Sequence, residues 1–227
     1  MIIVIGGIKG GTGKTTIATN LAVINAATAR KTLLIDTDDQ QTSLGWSEQR
    51  SALQDFAETK LVTIFLSGSN IHKQIIQLAK DFDDIIIDVG GRESVSQRSA
   101  LTIADVFVLP FQPSSFDLWT ISVLMLMLEE LIMINPKLKK LYVINRALTN
   151  NKDNQEAFEL LGETGLLDAV PIFLGNRISY RSAASKGLGV VEHKPRDPKA
   201  IIEMTTLHTH IFNISKVYNI DIKSGDE

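Results

Sequence analysis

Cysteine is absent from all 227 residues. That omission excludes disulfides, thiol nucleophiles and iron–sulfur ligation, and four scattered histidines leave little from which to build a structural zinc site. Excess charge of one sign is missing too: 23 Lys and Arg face 26 Asp and Glu, a net charge of −3. The molecule as a whole therefore carries no nucleic-acid footprint, and any such surface must be a local patch. No basic stretch precedes the first apolar residues, so no secretory leader is read. The most apolar segment, Leu118 to Ile134, is broken by Ser122, Glu129 and Glu130. It is short for a bilayer and reads as a buried core helix. Repeats, low-complexity tracts and linker-like stretches are lacking as well. The expectation is a cytoplasmic protein with no membrane partner.

What is present is an alternation of short apolar runs with helical stretches. Strands are read at Ile2–Ile5, Thr32–Ile35, Leu61–Leu66, Ile85–Ile87, Val106–Leu109, Leu141–Ile144 and Ala169–Phe173. Helices are read at Ile17–Ala29, Ser43–Phe56, Ile71–Lys80, from Ser115 to just before Pro136, and at Pro198–Tyr218. A further short helix is expected within the polar stretch Asn150–Gly165. This pattern predicts an α/β fold, a mainly parallel twisted sheet with helices on both faces. One domain is expected to about residue 220, with Asp221–Glu227 as a frayed tail.

Between the first strand and the first helix lies Lys9-Gly10-Gly11-Thr12-Gly13-Lys14-Thr15-Thr16. Strand, glycine-rich turn and helix form the setting of a phosphate-binding loop. The glycines let successive backbone N–H groups turn toward an anion, and the helix N-terminus adds its partial positive charge. Lys14 is placed to reach terminal phosphates, and the Thr15 hydroxyl to ligate Mg2+. In open parallel sheets ligands gather outside the carboxyl ends of strands. Asp36 and Asp38 follow one apolar strand and Asp88 ends another, so phosphate cradle, hydroxyl and metal-ordering carboxylates converge there.

The strict Walker pattern asks for glycine where this chain has Ile8, and an extra lysine, Lys9, opens the loop. KGGTGKTT resembles the deviant Walker A motif of the ParA/MinD family of ATPases, most nearly the small plasmid-type ParA partition proteins. The resemblance extends over nearly the whole chain, and it implies ATP and Mg2+ as cofactors. By it, Lys9 reaches across a dimer interface to phosphates held by the other subunit, and the fold is that of a single P-loop domain. Phe82 to Asp88 looks like a Walker B strand. Asp36-Thr37-Asp38-Asp39-Gln40 resembles the family's D-x-D-P-Q, with Asp39 where proline is usual; Asp38 then positions the attacking water and Asp36 lies nearer the magnesium. Gly90-Gly91-Arg92-Glu93 suits a switch loop sensing the γ-phosphate. Arg92 and Arg98 face the nucleotide, the second subunit, a partner or solvent; the sequence does not choose. Pro110 to Asp117 resembles the family's Pro-x-x-Pro-Ser turn, ending a strand and capping the long helix. Asn145-Arg146 looks like the adenine-side motif, with Pro171 packing nearby on the base.

From Pro171 to Lys199 six basic residues, Arg177, Arg181, Lys186, Lys194, Arg196 and Lys199, stand against two acids, Glu192 and Asp197. Arg177 and Arg181 share a face if Ile178 to Ser185 is helical. Doubled across a dimer, that face with Lys186 could follow duplex phosphates. The family resemblance implies an ATP-dependent dimer that binds nonspecific DNA, and so associates with the nucleoid. Its slow hydrolysis would be accelerated by a ParB-like centromere-binding protein, driving plasmid or chromosome partition. A positioning ATPase for a conjugation or secretion system, or for another protein cargo, is the near alternative. A MinD-like membrane cycle calls for a basic amphipathic terminal helix, which Lys223 to Glu227 does not supply. A metabolic ATP-dependent ligase is disfavoured by Lys9 and the basic patch, and a non-hydrolysing module by Lys14, Thr15, Asp38 and Asp88.

Overall fold

The computed structural model describes residues 1–53, 60–90, 94–113, 118–149 and 151–212. Seven strands are assigned: β1 (Ile2–Ile5), β2 (Thr32–Asp36), β3 (Leu61–Phe65), β4 (Asp84–Asp88), β5 (Val106–Phe111), β6 (Lys139–Ala147) and β7 (Asp168–Gly175). They form one sheet in the order β3-β2-β4-β1-β5-β6-β7, and every pairing is parallel. The described helices are α1 (Lys14–Ala27), α2 (Thr42–Ser51), α3 (Ile71–Leu78), α4 (Val95–Leu101), α5 (Leu118–Ile134), α6 (Lys152–Glu163), α7 (Ile178–Ala184) and α8 (Pro198–Phe212). After β1 the chain crosses to β2 on one side, returns to β4, and then crosses β1 to β5. The phosphate loop thus leaves the sheet where the strand order reverses, the crevice-forming point of such folds.

Period-two alternation sorts the strand residues between two cores. Val4, Leu33, Ile35, Ile85, Ile87, Phe107 and Leu109 pack with α3, α4, α5 and α6 on one face. Ile3, Ile5, Leu34, Ile86, Val106 and Val108 pack with α1 and α8 on the other. Asp36, Asp88 and Asn145 are in phase with the second set, which turns their side chains toward α1. Among the described residues no helix is long and apolar enough to cross a membrane.

Several boundaries depart from the sequence reading. The second helix ends at Ser51 rather than continuing toward Phe56, and residues 54–59 lie outside those described. The last helix is described to Phe212, so its expected run to Tyr218 and the tail at 221–227 lie outside as well. One helix, α4, is additional to the expectation.

A second acid on β4 is structural. Asp84, at the opposite end of the strand from Asp88, accepts from Asn25 Nδ2 at 2.8 Å and pairs with the Arg30 guanidinium. Burial works against the charged form, but Arg30 and Asn25 outweigh it and hold the Asp84 carboxyl below its usual range. His208 of α8 lies beside this cluster, fully buried, with Nε2 at 3.3 Å from Asn25 Oδ1 and its ring stacked on Phe212. The Asn25 oxygen accepts, so Nε2 carries the proton of a neutral ring. Burial pushes the His208 imidazole down to about 4, with Asp84 raising it and Arg30 lowering it further. The unfolded ring titrates near ~6.5. The unfolded chain therefore binds more protons between these values, and the contribution present above ~6.5 is lost as pH falls to about 4. The expected loss is about 3 kcal/mol. Urea unfolding across pH 7.5 to 4 checks it. The raised carboxyls of Asp88 and Asp36 contribute with the opposite sign as pH falls, so the readout is the difference between His208→Leu and wild type. That difference should shift by about 3 kcal/mol in favour of the variant from pH 7.5 to 4. A difference between the two proteins that stays constant with pH would remove the ring from the account.

Candidate nucleotide site

The loop from Ile8 to Gly13 takes the chain off β1 and into α1. Gly11 and Gly13 have φ of 77° and 92°, a region in which a side chain is strained. Gly13 is required twice, because a Cβ there would stand 2.2 Å from Asn145 Nδ2. That amide donates to the Thr12 carbonyl at 2.6 Å, tying the end of β6 to the loop. One of its two N–H groups is thereby committed to the loop, and the Oδ1 atom is left to accept. Lys14, nearly buried, folds over the loop and donates to the Lys9 carbonyl at 2.9 Å. Burial lowers its ammonium pKa, partly offset by Asp88 and Asp38. Gly10 and Gly11 are exposed on the rim, and Thr16 borders the cleft described below.

The acids come together as expected. Asp36 and Asp88 are paired in register across β2 and β4. Asp88 Oδ2 accepts from Thr15 Oγ1 and from Ser43 Oγ, each at 2.7 Å, while the Asp88 carbonyl accepts from the Thr37 N–H. Burial pushes the Asp88 carboxyl up to about 7; Asp36 adds to the rise, and the hydroxyls and Lys14 oppose it. Burial also raises Asp36, against the N–H groups of Asp38 (3.0 Å) and Leu44 (3.0 Å) that it accepts. Asp38 stands half-exposed at the edge, its Oδ1 accepting from the Gln40 N–H at 3.0 Å. Asp39 in place of proline leaves this turn intact: Gln41 N–H donates to the Asp38 carbonyl at 2.8 Å, and Gln41 itself takes a left-handed φ of 50° before α2.

Two buried side-chain atoms here, Thr12 Oγ1 and Asp88 Oδ1, have no hydrogen-bond partner. Each such atom costs about 1–3 kcal/mol unless something supplies its partner. A phosphate oxygen suits the hydroxyl, and a water of a hydrated Mg2+ suits the carboxylate. The described residues contain no cluster of three or more metal-ligating side chains. Magnesium in nucleotide sites rarely has a full protein cage: it takes a hydroxyl, phosphate oxygens and water. The residues present fit that mode. Thr15 would hold the ion and Asp36 and Asp88 would order its waters, which supplies charge neutralisation at the phosphates.

Beside the loop opens a cleft of about 200 Å³ lined by Gly13, Thr16, Asn145, Arg146, Gly175, Asn176, Arg177, Tyr180 and Arg181. Arg146 is exposed with φ of 53°. Pro171 does not line this cleft. It sits exposed within β7 where the register against β6 slips between Tyr142 and Ile144, a bulge on an edge strand, where proline's missing N–H is tolerated. Arg177 borders the cleft, half-buried, and pairs with Glu203 of α8. Arg181 and Lys186 are exposed. Arg98 pairs with Glu130 at 3.0 Å, both more than half exposed. Residues 91–93, which include Arg92, and 114–117 lie outside the described residues.

Ser43, Gln97, Asn176 and Glu203 belong to the site or its support without having been singled out in the sequence. Gln97, fully buried, accepts from the Gly7 N–H at 3.1 Å just ahead of the loop. Ser94-x-x-Gln97 has the sequence of a capping box, of which the N-cap half forms: Ser94 Oγ accepts from the Gln97 N–H. That signal could have found α4.

A parallel sheet with a phosphate loop at its switch point, a serine and threonine on one strand-end acid, and a second acid in register define a P-loop nucleotide-binding protein. The chain belongs to the family described as the CobQ/CobB/MinD/ParA nucleotide binding domain, whose profile matches residues 3–190. It is 29% identical over 206 residues to Maintenance of carboxysome distribution protein A of Halothiobacillus neapolitanus, covering 88% of this chain and 91% of that protein. It is 26% identical over 222 residues to the chromosome-partitioning ATPase Soj of Thermus thermophilus, covering 85% and 88%. Among solved structures, the ATP complex of a Cyanothece McdA variant superposes with a TM-score of 0.74 at 17% identity, over 95% of this chain and 97% of that one. The parallel α/β P-loop fold read from the sequence is the fold observed.

Proposed function

We propose that this chain is a Mg2+-dependent ATPase whose ATP-bound form dimerises, binds DNA without sequence preference, and thereby moves or distributes a cargo. The observation that carries the reading is the combination of Lys9 in the loop with Asp36, Asp38 and Asp88 at the strand ends beside it. A second lysine adds charge at the phosphates beyond what Lys14 supplies, and it serves best from a neighbouring subunit. Hydrolysis is slow alone because positioning and charge neutralisation are incomplete. Asn145 Oδ1 suits the exocyclic amine of adenine, a donor, and opposes the oxygen that guanine carries there. The DNA contact falls to Arg181 and Lys186, which are exposed; Arg177 is engaged by Glu203.

Two cargoes fit. A plasmid or chromosome carried through a ParB-like centromere-binding partner agrees with the Soj relative. A protein assembly agrees with the carboxysome-distribution relative. The chemistry is shared and the partner differs.

Binding to random-sequence duplex DNA in ATP, ADP and no nucleotide tests the cycle. Tight binding is expected only with ATP, and Lys14→Ala should abolish it. Arg181→Ala should weaken binding and lower the slope of log K against log salt by roughly 2, for two contacts per dimer. Nucleotide-independent or absent DNA binding sinks the DNA-carrier reading and leaves the ATPase to be assigned elsewhere.

A further inference from the structure

Glu203 of α8 is nearly buried, yet it is an acid pointed at the turn between β7 and α7. Its carboxylate accepts from the Gly175 N–H at 3.1 Å, from Arg177 Nε at 3.0 Å, from Arg177 Nη2, and from the Tyr180 hydroxyl at 3.1 Å. The donors come from three positions of one short turn. All three, Gly175, Arg177 and Tyr180, line the same cleft as Gly13 and Asn145. Arg177 folds back so closely that a Cβ on Gly175 would meet its guanidinium at 3.1–3.2 Å. The Tyr180 hydroxyl also reaches the Ala200 carbonyl at 3.1 Å, and Ser179 Oγ donates to Asp197 Oδ2 at 2.8 Å. The N-terminal part of α8 therefore holds the turn at several points, with Glu203 at the centre.

A buried carboxylate is costly to desolvate, and an apolar residue would pack a helix against a strand as well or better. What four convergent donors on one acid supply is a single fixed shape. We propose that Glu203 is a positioning residue for base recognition, locking the Gly175–Tyr180 turn as the wall of the cleft that receives the purine. This rests on the reading of the cleft as the base end of an ATP site. The segment fixed in this way brings Asn176 and the Gly175 backbone into the cleft that Asn145 also lines, so the base is held by more than one element. The phosphate loop is tied instead by Asn145 of β6 and by Gln97 of α4 just ahead of it, and none of the four donors to Glu203 belongs to it. Loss of the clamp should then weaken ligands that carry a base and spare those that carry phosphates alone.

Calorimetric titration of ATP, ADP, GTP and inorganic tripolyphosphate, all with Mg2+, separates the two ends. Glu203→Ala is expected to weaken ATP and ADP by about tenfold or more, equivalent to ~1.4 kcal/mol. Tripolyphosphate should stay within about twofold, and the ATP-over-GTP preference should shrink. Tyr180→Phe, which removes one donor and keeps the ring, should show the same selectivity at about threefold, and Glu203→Gln should recover part of the loss. Should Glu203→Ala fail to fold, Tyr180→Phe and Asn176→Ala, at an exposed position, carry the comparison. Equal losses for ATP and tripolyphosphate, or no loss, overturn the clamp while leaving the ATP site standing. A wild-type chain that binds tripolyphosphate with no gain from adenosine overturns the base cleft itself, and the clamp with it.

Discussion

Asp38→Ala should slow ATP turnover by a factor on the order of 10²–10⁴, the range for a group that positions or deprotonates the attacking water, while ATP affinity stays within about threefold. The three acids at the strand ends differ in surroundings. Asp36 and Asp88 are buried; Asp36 spends both oxygens on backbone N–H groups, and Asp88 spends Oδ2 on two hydroxyls. Asp38 is half-exposed, accepts a turn bond from Gln40, and looks at the Gly90 backbone, where an added Cβ would sit 3.3 Å from its carboxyl. It is near enough to Lys14 for its charge to act on the ammonium. A half-exposed carboxylate beside Lys14 can act on water without holding the nucleotide. Single-turnover phosphate release beside a fluorescent-nucleotide titration checks this. A parallel collapse of affinity would make Asp38 part of the cradle, and undiminished turnover would move the water-positioning role to another group.

The legible parts of this molecule were those where sequence pattern and physics coincide. Strands such as Ile85–Ile87 are buried on both faces and therefore read as continuous apolar runs. Asp36 and Asp88 stand out because an acid ending such a run has no packing reason to be there. The loop announces itself through glycines that the backbone requires. What escaped reading had the opposite character. In α4 three of the five buried residues are Ser96, Gln97 and Ser99, and the apolar pair Ala100 and Leu101 sits adjacent at its C-terminal end, so no apolar stripe marks it. Its burial is satisfied instead by long-range hydrogen bonds to Gly68, Gly7 and His72. Glu203 looks like an ordinary surface acid on a helix until β7 and α7 are brought against it. Arg177, read as one face of a basic patch, is drawn inward by that same acid. Pro171 falls on a bulge, and a sequence does not number its bulges. In each case the missing information was a partner far along the chain, and single-residue propensities carry none of it.

The same limit applies to the segment that follows α7, which sets the second large expected effect. Gly187→Ala should destabilise the fold by about 3 kcal/mol, combining left-handed strain of ~1 kcal/mol with an overpacking term of ~1–3 kcal/mol. Gly187 has φ of 68° and closes α7 in a Schellman arrangement, its N–H donating to the Ala184 carbonyl and that of Leu188 to the Ala183 carbonyl. A Cβ there would stand 2.4 Å from the backbone nitrogen of Arg50 and 2.8 Å from its Cα, atoms that cannot swing aside as a side chain would. The contact is close because the segment is seated on α2. Arg50 Nη1 donates to the Gly187 carbonyl at 3.2 Å, and the guanidinium pairs with Glu192 at 2.7 Å in a largely buried bridge. Asn20 of α1 accepts from the Val190 N–H at 2.7 Å. Opening the Gly187 contact therefore strains a bridge whose rupture alone costs ~3–5 kcal/mol. For a chain of this size the melting temperature should fall by about 6–12 °C. Lys186→Ala, one residue earlier and exposed, should change stability by no more than about 0.5 kcal/mol. Thermal unfolding of the two variants side by side decides the matter. A drop in both alike would point to α7 as a whole, and no drop in Gly187→Ala would mean that the turn can leave α2 at little cost. That result would bear on function as well, because the turn fixes the C-terminal end of the helix that carries Arg181, and a loosely held helix would make a poor platform for contacts with duplex phosphates.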